Sequence, residues 1–307
     1  MKTLGIDTSN YTTSLSVCEN GVITENIRIG LEVAKGGVGL RQSDAVFAHI
    51  KNIPLVMERL ESCISDIDAV GVSSKPRDAV GSYMPCFLSG VSAASSISRT
   101  LNVPLYEFSH QAGHIKAAMY SAGVDFTNTF YAYHLSGGTF ELLEVTPENG
   151  IYNVDIIGGS RDVTAGQLID RVGVRLGLKF PCGAELEKLA NTFEGKLPKP
   201  KISVKDTFCN MSGGENLCEK LINENASPCT VAAYLTEFIR LTLEKITDNL
   251  LLNAKSRDII FSGGVSSNKT LSGFMKKKYN AHCAEPQFSQ DNAAGIALLC
   301  MEKLNDR

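Results

Sequence analysis

An α/β protein of two similar lobes with a cleft between them is what this sequence predicts, and three observations predict it. A strand–loop–strand–turn–strand pattern occurs twice, near residues 3–29 and again near 130–157. Each copy is followed by alternating helical and strand patterns rather than by further strands. The chain is 307 residues long, 43% hydrophobic and 21% charged, which is an ordinary globular composition with room for two lobes.

The first copy opens with an apolar strand, TLGID, and a small polar loop. An alternating strand follows, then the hairpin turn Asn20-Gly21, in which both residues accept positive φ, and a third strand. The second copy, FYAYHLSGGTFELLEVTPENGIYNVDII, repeats the plan with the loop Ser136-Gly137-Gly138-Thr139 and the turn Asn149-Gly150. Unrelated hairpins also share Asn-Gly turns, but here loop, strands and turn recur in order, which points to duplication. After the first copy we expect a helix near Ser43–Cys63, a strand Ile67–Ser74, a small-residue helix Leu88–Leu101 and a strand over VPLYEF. After the second come helices near Thr164–Leu176, Ala184–Thr192 and Thr230–Leu252. A strand Asp258–Gly264, a further helix and a last helix over Asp291–Leu304 complete the chain. The Lys- and Pro-containing stretch GKLPKPKISVK reads as a surface loop, and the lobes are expected at 1–122 plus 291–307 and at 123–290.

A net charge of −3 and a pI near 6.0 exert no global pull toward nucleic acid or anionic membrane. Lys276-Lys277-Lys278 is the local exception and reads as a solvated helix end. Nine cysteines stand singly with no CxxC pair, the usage of reduced thiols in a cytoplasmic protein. No signal-like or membrane-length apolar run is present.

Two of only five histidines, His110 and His114, lie four residues apart behind Ser109, a good helix N-cap. On a helix both imidazoles share a face, the geometry of a two-histidine metal clip. Such pairs also serve as capping or partly buried core residues. The Glu beside the first His that a zinc protease uses as its base is absent, which argues against a metalloprotease. Small-residue loops at strand ends, Asp7-Thr8-Ser9, Ser136-Gly137-Gly138 and Ser262-Gly263-Gly264, let backbone amides approach an anion. Neither GxGxxG nor a Walker A sequence follows the first strand. Several such loops at matching strand ends suggest a phosphate or nucleoside in the cleft.

Taken together, GIDTS, GGVG (Gly36–Gly39) with the following His49, HQAGH, SGGT, SRDVTAGQLIDRVGVRLGLKFPCG, SGGVSSN and DNAAGIAL resemble, in this order, the motifs of the TsaD family. Its members are tRNA threonylcarbamoyladenosine transferases within the actin/Hsp70-type ATPase superfamily. The resemblance implies two duplicated RNase H-like lobes and an adenylate ligand, ATP or an acyl-adenylate. It implies a divalent metal, zinc or iron, on His110, His114 and Asp291, a nitrogen-rich set that suits those ions better than magnesium. His134 either joins them or makes a cross-strand polar contact. Ser9, Ser136, Gly137, Gly138, Asp170, Gly183, Gly263, Gly264 and Asn268 match nucleotide-contacting positions. The implied partners are adenine nucleotide and tRNA, the latter through partner proteins.

The sequence also departs from the family. Tyr11 stands where an important Asp is usual, and a phenol is a poor carboxylate substitute as base at neutral pH. Either Asp7 takes over as the catalytic carboxylate, or Tyr11 packs over the ligand and no carboxylate is needed. The loop SKPRDAVGSYMPC replaces a short Gly-Pro-Gly loop and carries Lys75, Arg77 and Asp78. Gln167 replaces a usual Glu and Val163 a usual Asp. A carbamoyl-type transferase with another acceptor, and a nucleotide-binding paralogue that acts as a non-catalytic subunit, are the competing expectations.

Overall fold

The computed structural model describes residues 1–9, 11–32, 40–61, 64–148 and 151–306. The Gly36–Gly39 element and the Asn149-Gly150 turn lie outside the described residues. In chain order the elements are β1 (Lys2–Asp7), β2 (Thr12–Glu19), β3 (Val22–Gly30), α1 (Gln42–Met57), β4 (Ala69–Lys75), α2 (Phe87–Leu101), β5 (Leu105–Ser109) and α3 (His110–Ala122). They continue with β6 (Phe130–Leu135), β7 (Phe140–Glu148), β8 (Ile151–Ser160), α4 (Ala165–Arg175), α5 (Gly183–Ala190), β9 (Ser203–Lys205), β10 (Phe208–Asn210), α6 (Ser212–Asn223) and α7 (Pro228–Leu250). The last are β11 (Ile259–Ser262), α8 (Lys269–Tyr279), β12 (His282–Cys283), α9 (Pro286–Ser289) and α10 (Ala294–Asn305).

Two compact units result, Met1–Asp125 with Pro147–Asn153 and Gln287–Arg307, and Phe126–Thr146 with Val154–Pro286. The first holds a five-stranded sheet ordered β3-β2-β1-β4-β5, the second a seven-stranded sheet ordered β12-β11-β6-β7-β8-β10-β9. Five strands of the second sheet repeat the first: β6 is antiparallel to β7 and parallel to β11, as β1 is to β2 and β4. The duplication read in the sequence is therefore a duplication of sheet order. Asn20 and Gly21 both take positive φ, 50° and 84°, and the hairpin forms where expected.

In the first unit α1 and α2 cover one sheet face through a core of Leu4, Ile6, Leu15, Val17, Val56, Val70, Val72 and Ala94. The last helix, α10, lies against β1, β4 and α3 through residues with almost no side chain. A Cβ on Gly5 would stand 2.5 Å from the Ala297 amide nitrogen, and one on Gly295 only 1.8 Å from the Gly113 carbonyl oxygen. The second unit is packed around α7, whose Leu235, Phe238, Ile239, Leu243 and Ile246 are buried. Helix α6, strands β9, β10 and β12 and the single turn α9 are absent from the sequence expectation. Gly213-Gly214 suggests a turn rather than a helix, yet Gly214 is required there because a Cβ would lie 2.6 Å from the Phe238 ring. The last helix also begins at Ala294, three residues later than expected, which leaves Asp291 on a turn ahead of it.

Candidate metal centre and nucleotide loops

Three side chains from two elements converge in the first unit. Ser109 caps α3, its hydroxyl accepting from the Ala112 amide, so His110 and His114 start the helix on one face. Asp291 is presented by a turn that the buried Asn292 organises. Its Oδ1 accepts from the Ala294 amide, and its Nδ2 donates to the carbonyls of Gln290 and Phe288. The close crossing of α3 and α10 at Gly113 and Gly295 then sets Asp291 beside both histidines.

The His110 and His114 Nε2 atoms are 2.9 Å apart. Asp291 Oδ1 lies 3.2 Å from the His114 Nε2 and 3.6 Å from that of His110. Ligands held at about 2.0–2.1 Å around a tetrahedral ion stand roughly 3.3–3.4 Å apart. The three observed separations straddle that value, so the set fits a divalent ion with little rearrangement. These residues are the one group of three or more His, Cys, Asp or Glu with such spacing among the described residues.

Behind His110 sits Asp7, 1% exposed at the end of β1. Its Oδ2 accepts from His110 Nδ1 at 2.7 Å and its Oδ1 from the Ser9 amide at 2.8 Å. Burial disfavours charge on both groups, but their mutual attraction and hydrogen bonding outweigh it. The His110 imidazole is raised to about 10, with Asp291 contributing, and Asp7 is held below the ordinary carboxylate range. Burial likewise works against charge on Asp291, yet the two histidines hold its carboxyl well below that range. Asp7 thus fixes the tautomer of His110 with Nε2 facing the would-be ion, as carboxylates behind metal-binding histidines do. With both oxygens engaged and no solvent access, it is poorly placed as the general base considered above. Ser9 Oγ is also buried and has no hydrogen-bond partner among the described residues. Tyr11, by contrast, is 46% exposed, and its carbonyl holds the Leu31 amide.

The remaining predicted residues lie in the second unit. Ser136 Oγ accepts from the amides of Gly138 and Thr139, so part of the expected anion-binding amide set already serves the turn itself. The loop is tied to the start of α4 by the Thr164 hydroxyl, which donates to the Gly137 carbonyl, and by Gly166, which no larger residue could replace against it. Gly263, at φ 95°, passes so close to Leu135 that a Cβ would be 2.2 Å from its carbonyl oxygen. That contact brings the Gly263-Gly264 turn beside the Ser136 loop. Asp170 Oδ1 accepts from the Cys182 amide and fixes the entry to α5 at Gly183. Asn268 Oδ1 caps α8, leaving its amide nitrogen for other partners. His134 sits on β6 opposite Glu141 of β7 and Ser262 of β11.

Two sheets that share a five-strand order, with small-residue loops at the ends of β1, β6 and β11, define an actin/Hsp70-type α/β protein. Solved structures agree: the full-length HypF structure in its phosphate- and nucleotide-bound form aligns over 100% of this chain and 47% of its own, at TM-score 0.61 and 12% identity. Component A of the (R)-2-hydroxyglutaryl-CoA dehydratase of Acidaminococcus fermentans aligns over 99% of both chains, at TM-score 0.58 and 15% identity. Within that class the family model for tRNA N6-adenosine threonylcarbamoyltransferase, TsaD, matches residues 27–298. The chain belongs to the TsaD family. It is 30% identical over 308 residues to the protein of that name from Thermus thermophilus, covering 97% of this chain and 91% of the relative. It is 28% identical over 318 residues to that of Thermosipho melanesiensis, covering 97% and 93%. Among the described residues no helix is long and apolar enough to cross a membrane.

Proposed function

We propose that this protein transfers a threonylcarbamoyl group from an adenylate to N6 of a tRNA adenosine, using a divalent cation held by His110, His114 and Asp291. The convergence of those three ligand atoms, with Asp7 behind His110, is the observation that carries the reading. A bound cation would supply a Lewis acid that orients and polarises an oxygen of the acyl donor. The residues of this chain do the rest. His110, His114 and Asp291 fix the cation, while Asp7 keeps the first of them in its binding tautomer. The Ser136–Gly138 and Gly263–Gly264 turns of the second unit would approach the phosphate, and Ser9, in the first unit, is a candidate hydroxyl contact of the ligand. Asp170, through its second carboxylate oxygen, Gly183 and the Asn268 amide nitrogen address the nucleoside. In the transfer, N6 bonds to the carbamoyl carbonyl carbon, the bond from that carbon to the nucleotide phosphate breaks, and the N6 proton is lost to a base.

The test supplies purified protein with threonylcarbamoyl-adenylate and tRNA, with the partner proteins of a related organism added, and quantifies the modified nucleoside by mass spectrometry. Product that disappears in Asp291→Ala supports the proposal. Product formed equally by Asp291→Ala refutes the role of the cation site, and none from the wild type refutes the reaction.

A further inference from the structure

The loop Lys75–Asp78, which departs from the family pattern, reaches back to the first turn of the histidine helix. Strand β4 ends in a register shift against β5 that sets Lys75 opposite Ser109. The Pro76 carbonyl accepts from the Gln111 amide at 3.1 Å. Asp78 Oδ2 accepts from the Ser109 hydroxyl at 2.5 Å, while Lys75 Nζ holds Asp78 Oδ1 at 2.9 Å. Ser109 in turn receives the Ala112 amide and directly precedes His110. A carboxylate here also faces the positive end of the helix dipole, where negative charge is favoured. Two amides of the first turn that have no partner within the helix are thus answered, one by the loop backbone and one through a hydroxyl whose proton Asp78 fixes.

We infer that Asp78 is a positioning residue, which sets the start of α3 through Ser109 and so aims His110 at the cation. The inference rests on the cation reading above. A relay from carboxylate to hydroxyl to helix end removes rotational freedom from the residue next to a ligand, and ligands must be placed to within about 0.2 Å. Asp78 and Ser109 line a cavity of about 230 Å³ with Lys75, Tyr106 and Lys303. Water entering it replaces a lost partner, so substitution of Asp78 leaves no polar group stranded.

The experiment titrates Co²⁺ into metal-free wild type, Asp78→Asn, Asp78→Ala, Ser109→Ala and the Asp78→Ala/Ser109→Ala pair. It reads affinity by chelator competition and ligand geometry from the visible absorption bands. Asp78→Ala should bind roughly three- to tenfold more weakly, short of the loss expected when a group bonded directly to a metal ligand goes, with altered bands. Asp78→Asn, which still accepts a hydrogen bond, should fall between. The pair should be no worse than the poorer single variant, because both changes cut one relay. Wild-type affinity and bands in Asp78→Ala, or losses that add in the pair, would overturn the inference and leave the cation site standing. A wild type that takes up no Co²⁺ overturns the cation reading and this inference with it. Should Asp78→Ala fail to fold by circular dichroism, Asp78→Asn decides alone, and unchanged bands there refute the positioning role.

Discussion

Gly295→Ala probes the packing that brings the candidate metal ligands together. An ideal Cβ at this position meets the Gly113 carbonyl oxygen at 1.8 Å, its carbon at 2.7 Å and the Ala117 amide nitrogen at 2.9 Å. All three are backbone atoms of α3, so no rotamer change relieves the clash. Opening the contact to about 3.2 Å, still tight, requires the helices to part by roughly 1.4 Å. Overpacking of this kind costs about 1–3 kcal/mol, and a clash against backbone belongs at the top of that range. Alanine returns about 1 kcal/mol of helix propensity, so the net loss should be near 2 kcal/mol.

The same 1.4 Å displacement is several times the ~0.2 Å tolerance of metal coordination, so cation affinity should fall with stability. Gly273→Ala is the matched control. It lies exposed inside α8 with nothing within 4 Å of the new methyl, so it should gain about 1 kcal/mol and leave the cation alone. Urea midpoints and Co²⁺ titrations of both variants give the answer. If Gly295→Ala matches the wild type in both, the crossing at Gly113 and Gly295 does not position the site.

Four shorter tests accompany it. His114→Ala should lower affinity for zinc or iron at least tenfold, and equal metal content in wild type and variant would remove it from the ligand set. Because His110 is raised to about 10 in the metal-free protein, cation binding at pH 7–8 must displace its proton. Proton release near one per ion, and affinity that climbs with pH, should be seen by calorimetry in buffers of different ionisation enthalpy. The sign for stability is opposite: the raised His110 contributes fully below pH about 6.5 and its contribution fades as pH rises through about 10, whereas a loss already complete at neutral pH would contradict the Asp7 pairing. Gly138→Val should fold normally, with nothing within 4 Å of the new side chain's Cβ, yet weaken adenine nucleotide binding; unchanged affinity by calorimetry places the phosphates elsewhere.

Much of the fold was legible because its signals are local. Asn20-Gly21 closes a hairpin by its own φ preferences, and the alternating strands on either side need no distant partner to be recognised. Seeing the pattern twice revealed the duplication, though not the strand order of either sheet. What escaped depends on contacts far apart in sequence. Helix α6 carries two glycines that a propensity argument rejects, and one is there for the ring of Phe238. The site divides in the same way. The i, i+4 spacing of His110 and His114 is visible on its face, whereas Asp7 is 103 residues from the imidazole it holds. Asn292 was hidden as well, although an Asn two residues before a helix start is a recognisable turn signal.

The departures from the family pattern carry unequal weight once each is seen in place. Gln167 stands where the resemblance leads one to expect Glu, but its Oε1 accepts from the Thr164 backbone amide and its backbone amide donates to the Thr164 hydroxyl, a capping box that Glu and Gln complete alike. Val163 lies in a turn whose carboxylate comes from Asp162 next to it, held down to about 2 against burial by Ser212 and by the amides of Met211, Ser212 and Val163. Both substitutions therefore preserve local structure and say little about chemistry. Tyr11 is different, because it is exposed and, among the described residues, its hydroxyl has no hydrogen bond that would account for a phenol there. With Asp7 committed to His110, the expected departure at residue 11 bears, under the proposed transfer, on which group takes the N6 proton. If that proton needs a carboxylate at residue 11, Tyr11→Asp should raise transfer to tRNA above the wild type. Robust transfer by the wild type that survives Tyr11→Phe unchanged would show instead that neither phenol nor carboxylate at this position touches the proton.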